Sequence, residues 1–403
     1  MTIFYLEESI NLENTPVLVR KAYDKTSITI GDLHANPIKL LHFLVRNGVC
    51  AIDDTSYLKL VELYKKSGAN PEEDQSIPIS AVFHFREIVN TSLCIIDQSV
   101  LVRLIGDELG DRGENDFLTL WILMHLKENN VPYETLHSNH GNYFLYHYHR
   151  LKAQLHNPLQ EIDPIANIEP SQVRSFLGLD KCCNDQGVSK ENFIAIVEND
   201  YKPNLKIISY GLDQKNGSIT LYSHAPIDIS IVGLLAEKFN VPFKDNTSLE
   251  LASTIDAINR HYSQLIEKEG YAIYCNTPLI HSTSKGATVE NVFDFIAWNR
   301  SYTLINRRPT HNGFNVRYVH GHDNAQRTNE TQGTYTLDGQ LGKGGRRNKA
   351  ETDASLHSNE LSLNALLLQR NNRPIYPLYS SLMWSVQAVE TPSLNSPSAS
   401  TKK

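Results

Sequence analysis

The sequence predicts an α/β fold, or α+β in the broader sense, with its working loops gathered at strand ends. Three observations point there. A β-rich run, a polar loop and a helix-patterned stretch follow one another three times before residue 155, and that alternation is the signature of an α/β architecture. Hydrophobic residues fill 40% and charged residues 21% of the 403 positions, enough apolar material to bury a sizeable core. Each of the three loops carries Asp, His or Asn beside a strand end.

The elements justify themselves in order. Ser27 to Ile30 is a short β-rich run that stops at Gly31-Asp32. Asn36-Pro37 then opens a helix with Leu40, Leu41, Leu44 and Val45 on one face. Residues 67 to 78 read as a loop. Val100 to Ile105 is a buried strand that runs into "GDELGDRGEND", with five acidic residues and one arginine in eleven positions. A helix follows from Asn115, with Phe117, Leu118, Trp121, Ile122 and Leu126 as its apolar stripe. Tyr133 to Leu136 is a further strand and ends at "HSNHGN". Residues 156 to 204 read as polar and partly helical. Lys206 to Leu212 and Ser218 to Ser223 pattern as a strand pair across "DQKNGS". Residues 228 to 239 and 248 to 268 read as helices, and Val316 to Val319 as a strand ending at "HGHD". "GKGGRRNKAETD", 342 to 353, reads as a flexible basic loop. The small polar residues 391 to 403 are expected to form a disordered tail after one domain over 1 to 390.

Composition narrows the function classes. A net charge of -7 argues against a nucleic-acid binder, and the 19 tyrosines show no pattern of stacking with basic residues. The five cysteines are too scattered for a disulfide framework, and adjacent Cys182-Cys183 lacks zinc-ligand spacing. No run approaches 18 apolar residues, so no transmembrane segment is expected, and "MTIFYLEESINLENT" does not pattern as a Sec signal. The expectation is a soluble, cytoplasmic fold.

The strand ends collect one kind of chemistry. They present Asp32 and His34, then Asp107, then Asn139 and His140, then His224 and His322. Carboxylate, imidazole and amide oxygen together suit divalent Mn, Fe or Zn. Asp32 and His34, two apart on extended backbone, can reach one ion. A carboxylate such as Asp107 can bridge two ions, and a pair about 3.5 to 4 Å apart clamps the attacking and leaving oxygens of a phosphoryl transfer. Each signal alone has a plainer reading. An Asp-x-His is more often a surface pair, an acidic loop a solvated turn, a lone histidine a packed core residue. Their common order and place favour the cation site.

In that order, "GDLH", "GDELGDRG", "SNHG" and two separated histidines resemble the PPP-type metallophosphatases of the calcineurin-like metallophosphoesterase fold. The resemblance spans roughly residues 27 to 340. It implies a β-sandwich flanked by helices, with helical insertions near 156–204 and 228–290, and two divalent metal ions, foremost Mn²⁺ with Fe or Zn as alternatives. It further implies that Asp32, His34 and Asp107 hold one ion, and Asp107, Asn139, His224 and His322 the other. His140 would be the general acid, oriented by Asp111. Arg112, and Arg300 in "AWNRSY", would grip phosphate oxygens. "YTLDGQLGKGG" looks like the late strand and glycine loop of bacterial members. The odd motif variants and insertions also resemble Wip-type secreted effector phosphatases, which implies translocation into a host cell and a host protein partner engaged through insertions or tail.

Departures are visible. Gly110 is an extra residue in the second motif, Ala35 replaces a glycine, and Ser138 and Gly141 replace the glycine and glutamate of the third. His320 and His322 share one strand face, and the Gly-His step favours His322. The leading expectation is hydrolysis of phosphoserine and phosphothreonine on proteins without a phosphoenzyme. Phosphotyrosine and dinucleoside polyphosphates are alternative substrates, and a catalytically decayed interaction module is the alternative outside enzymes. His281, His311, His147 and His149 match no motif, and "GGRRNK" reads as a mobile loop or an anion-facing patch.

Overall fold

The computed structural model of the chain describes residues 3–18, 26–66, 79–113, 115–156, 188–213, 215–268, 291–300, 304–323, 328–339, 341–342 and 351–358, with five further positions between 175 and 183. The expected loop 67–78, much of the 156–204 segment, His281, the 344–349 run and the 391–403 tail lie outside the described residues.

In chain order the elements are β1 (Phe4–Ile10), β2 (Ser27–Ile30), α1 (Pro37–Arg46), β3 (Cys50–Ala51), α2 (Asp54–Lys66), α3 (Ile79–Ser92), β4 (Cys94–Ile95), β5 (Leu101–Leu104), α4 (Asp116–Glu128), β6 (Tyr133–Leu136), α5 (Asn139–His156) and α6 (Lys190–Ile196). They continue with β7 (Leu205–Lys206), β8 (Ser209–Asp213), β9 (Ser218–Ser223), α7 (Ile229–Lys238), α8 (Ser248–Glu267), α9 (Val292–Trp298), β10 (Thr310–His311), β11 (Phe314–His320), β12 (Thr334–Thr336) and β13 (Glu351–Ser358).

One six-stranded sheet runs β1-β13-β2-β5-β6-β7, and a five-stranded sheet runs β10-β11-β9-β8 with β12 on the other side of β11. Strands β2, β5, β6 and β7 are mutually parallel, as are β9, β11 and β12. The sheets face one another. Ile105, Leu136 and Leu356 from the first meet Tyr222, Val319 and Tyr335 from the second in one buried cluster. Arg103 adds a polar staple. Its Nε donates to Glu134 at 2.5 Å and to Ser209 at 3.0 Å, and its guanidinium lies 3.8 Å over the Tyr222 ring. Such a buried ion pair is tolerated because its donors and acceptors are met inside the protein. The result is a sandwich flanked by helices, as expected.

Helix α1 starts where sequence places it. Asn36 Oδ1 accepts from the Ile38 and Lys39 N–H groups at 3.0 Å, with Pro37 at the first helical position. Asn115 caps α4 in the same way, accepting from Phe117 N–H at 3.1 Å. Helix α8 packs on the β7–β8 link. Its Asn259 side chain bonds the Ile207 N–H at 3.1 Å and the Ile208 carbonyl at 2.8 Å.

Three features differ from the reading of the sequence. The 206–212 run is not one strand. Leu205–Lys206 pairs with β6 in the first sheet, Ile207 and Ile208 cross over fully buried, and Ser209–Asp213 joins the second sheet. The end of the supposed basic loop, Glu351 to Asp353, is strand β13 paired with β1. Strand β1 and helices α2 and α3 carry no sequence expectation at all.

Candidate metal centre

The strand directions bring the key loops together. The chain leaves the carboxyl ends of parallel β2, β5, β6, β9, β11 and β12 at one end of the sandwich, the usual place for a site in such sheets. Glycines let the loops touch. A Cβ on Gly321 would lie 1.8 Å from Asp32 Oδ1, and one on Gly106 would lie 2.7 Å from His224 Nδ1. Three of the candidate ligands sit in left-handed backbone, His34 at φ +57°, Asp107 at φ +55° and His322 at φ +63°. Strained backbone of this kind concentrates at functional sites.

The side chains converge and are buried. Ligand atoms of Asp32, Asp107 and His224 lie within 4.8 Å of one another, and so do those of His34, Asp107 and Asp111. Asp107 belongs to both groups. Within this clustering Asp32 sides with His224 and His34 with Asp111. His224 Nδ1 donates to the Ile105 carbonyl at 3.1 Å, and its Nε2 meets Asn139 Oδ1 at 2.8 Å and Asp107 Oδ1 at 3.4 Å. The His322 ring lies 4.8 Å from that of His224, and its backbone N–H donates to Asp32 at 2.9 and 3.1 Å. His320 points elsewhere. Its Nδ1 donates to the Gly321 carbonyl and its Nε2 faces Thr336 Oγ1 at 3.3 Å.

Electrostatics fits a site waiting for positive charge. Burial, then Asp338 and Asp107, push the Asp32 carboxyl well above its usual range. Burial depresses His224 and His322, keeping both rings neutral and able to ligate. Asp107 Oδ1 and Asp338 Oδ1 are buried without a hydrogen-bond partner among the described residues. An orphaned carboxylate oxygen is expensive unless a cation meets it. Two such oxygens, in a set of Asp, His and Asn donors, fit divalent ions.

His140 and Asp111 lie on the other flank. His140 Nδ1 donates to the Gly110 carbonyl at 3.2 Å, and its Nε2 is 3.6 Å from Asp111 Oδ1. The extra residue of the second motif therefore holds the ring, and Asp111 supplies charge beyond hydrogen-bond reach. Asp111 Oδ2 instead lies 2.9 Å from His34 Nδ1. Burial would raise the Asp111 carboxyl, but His140, His34 and Arg112 outweigh it and hold it low. Arg112 Nη1 donates to Asp111 at 2.9 Å, and exposed Arg300 donates from Nε to His322 Nε2 at 3.1 Å. Both guanidiniums thus border the cluster. Tyr143 packs 6.1 Å from His140 and 6.0 Å from Trp298, which lies 5.9 Å from His322.

Sequence reasoning missed several supports. Ser138 Oγ accepts from the N–H groups of Asp107 and Gly141, both at 3.0 Å, tying the second and third motifs together. Glu108 is fully buried, bonded by Thr135 and Tyr201, and burial pushes its carboxyl up to about 7. Asp116 Oδ1 accepts from the Gly110 N–H at 3.0 Å and fixes the bulge. Only the odd motif spacing hinted at these roles.

Residues 101–343 match the family model described as WipA-like, phosphatase domain. That span contains all the candidate residues except Asp32 and His34. The phosphatase domain from the Legionella effector WipB is similar with a TM-score of 0.62 and 30% sequence identity, over 74% of this chain and 100% of that one. No curated protein sequence matches the chain.

Proposed function

The chain belongs to the WipA-like phosphatase-domain family, and from that premise we propose that it is a metal-dependent phosphoprotein phosphatase. The observation that carries the reading is the pair of buried ligand groups sharing Asp107 at one end of the sandwich. Asp32, His34, Asp107, Asn139, His224 and His322 would hold two divalent cations. Bound there, these ions would acidify a water and offset charge on the phosphoryl oxygens.

The chain's own residues supply the rest. Arg112 and Arg300 can each present two N–H groups to phosphate oxygens and so orient the phosphoryl group. His140 is held through Nδ1 by the Gly110 carbonyl, which leaves Nε2 to carry a proton to the departing oxygen. Asp111 and Asp107 stand 3.6 and 3.9 Å from that nitrogen. No phosphoenzyme is needed in this reading, so no nucleophilic cysteine is called for.

Phosphoserine and phosphothreonine on proteins are the proposed substrates, in keeping with the motif order. One observation favours phosphotyrosine instead: the wall of Tyr143 and Trp298 beside His140 and His322 could flank an aromatic ring. Similarity to a bacterial effector supports action inside a host cell, and no described helix is long and apolar enough to cross a membrane.

The test is a panel of pSer, pThr and pTyr peptides with Mn²⁺. Turnover on the first two that EDTA abolishes is expected. Asp107→Asn should lose both turnover and bound metal, and His140→Asn turnover alone. A fully active Asp107→Asn protein would sink the assignment. Metal-replete wild-type protein inert on every peptide would favour the interaction module.

A further inference from the structure

Asp338 follows strand β12. The Leu337 N–H continues the ladder by donating to the His320 carbonyl at 2.8 Å. Asp338 therefore leaves the sheet at the same end as His322. The segment around it, Leu337 to Leu341, is bolted to the first motif and the helix after it at three points. The Leu337 carbonyl lies where a Cβ on Gly31 would be, at 1.8 Å. The Gly339 carbonyl is 3.2 Å from His34 Nε2. Lys39 Nζ donates to the Leu341 carbonyl at 3.2 Å and to the Asp32 carbonyl at 2.9 Å.

This clamp fixes where the Asp338 carboxylate goes. Its side chain is 2% exposed, and its Oδ1 lies 3.9 Å from His34 Nε2. That oxygen has no hydrogen-bond partner among the described residues. Its charge is felt at both Asp32 and His224. A carboxylate so buried and so poorly compensated destabilises the fold unless a cation answers it.

We propose that Asp338 is a further carboxylate of the cation site, giving an oxygen and a negative charge to the ion held against His34. The inference rests on the two-cation reading above. It adds an acidic group that makes that ion's site more negative than Asp32, His34 and Asp107 alone would.

Asp338→Asn keeps the shape and removes the charge. Mn²⁺ binding by calorimetry and Mn²⁺ content per chain should show one ion held about ten- to a hundredfold more weakly than in wild type. The metal-free variant should melt at or above the wild-type temperature, because an unanswered buried charge is gone, while its gain in melting temperature with Mn²⁺ shrinks. A purely structural Asp338 would give the opposite signs. Unchanged Mn²⁺ affinity, or a metal-free variant that melts lower or fails to fold, overturns the proposal and leaves the two-cation reading standing. Wild-type protein that takes up no Mn²⁺ removes that reading, and the proposal with it.

Discussion

Gly321 shows how little room the site leaves at single positions. The Asp32 carboxylate occupies the space a side chain there would need, and the neighbouring His322 N–H holds that carboxylate in place. Gly321→Ala must therefore push Asp32 or His322 aside. We expect it to destabilise by about 1 to 3 kcal/mol and to weaken Mn²⁺ uptake; denaturant unfolding and calorimetry check both. A Gly321→Ala protein with wild-type metal affinity would mean that Asp32 is not a ligand. The gathering of Asp32, His34, Asp107 and His322 was legible in the sequence, because each stands beside the end of a strand-patterned run. The left-handed backbone of His34, Asp107 and His322 was not, because a positive φ leaves no trace when the residue is not glycine. Asp338 was equally hidden. It lies in a stretch noted for its glycines, and only folding reveals that its carboxylate faces His34.

At the scale of elements, local signals read well and contacts between loops did not. Asn36-Pro37 and Asn115 announced the starts of α1 and α4 because a cap bonds its own next turn. The bulge at Gly110 could be seen as an extra residue but not interpreted. In the fold its φ is +71°, its N–H is held by Asp116, and its carbonyl holds His140. A Cβ on Gly110 would lie 2.4 Å from the His140 carbonyl. Deleting Gly110 would restore the commoner motif spacing and yet remove the carbonyl that holds His140, the proposed general acid. Both Gly110→Ala and the deletion are expected to lower kcat about a hundredfold, by displacing a catalytic group by roughly 1 Å. Metal content should stay near wild type, since Asp107 precedes the bulge. Activity rising in the deletion would show that Asp111, and not the Gly110 carbonyl, directs His140.

Across the whole molecule, the three early strand–loop–helix units were legible because each is local. The edge formed by β1 and β13 was not, since it pairs Phe4 with His357 across nearly the entire chain. Long-range burial of this sort also sets the acid response. His42 on α1 is buried beside Arg46, and its pKa falls from 6.5 to about 4, burial being the larger cause. The folded chain keeps that ring neutral while the unfolded chain protonates it below 6.5, so its contribution to stability is lost as pH falls from 6.5 toward 4. Glu108 works in the other direction. Burial raises its carboxyl from 4.5 to about 7. The folded chain therefore takes up a proton first, and stability is gained as pH falls from 7 toward 4.5. Between pH 7 and pH 5 each group is worth about 2 kcal/mol, with opposite sign. In metal-free protein, His42→Gln should then gain stability relative to wild type on acidification, and Glu108→Gln should lose it. Urea unfolding of both variants at the two pH values measures the difference. Parallel pH dependence in wild type and both variants would mean that neither buried group holds its proton as this packing requires.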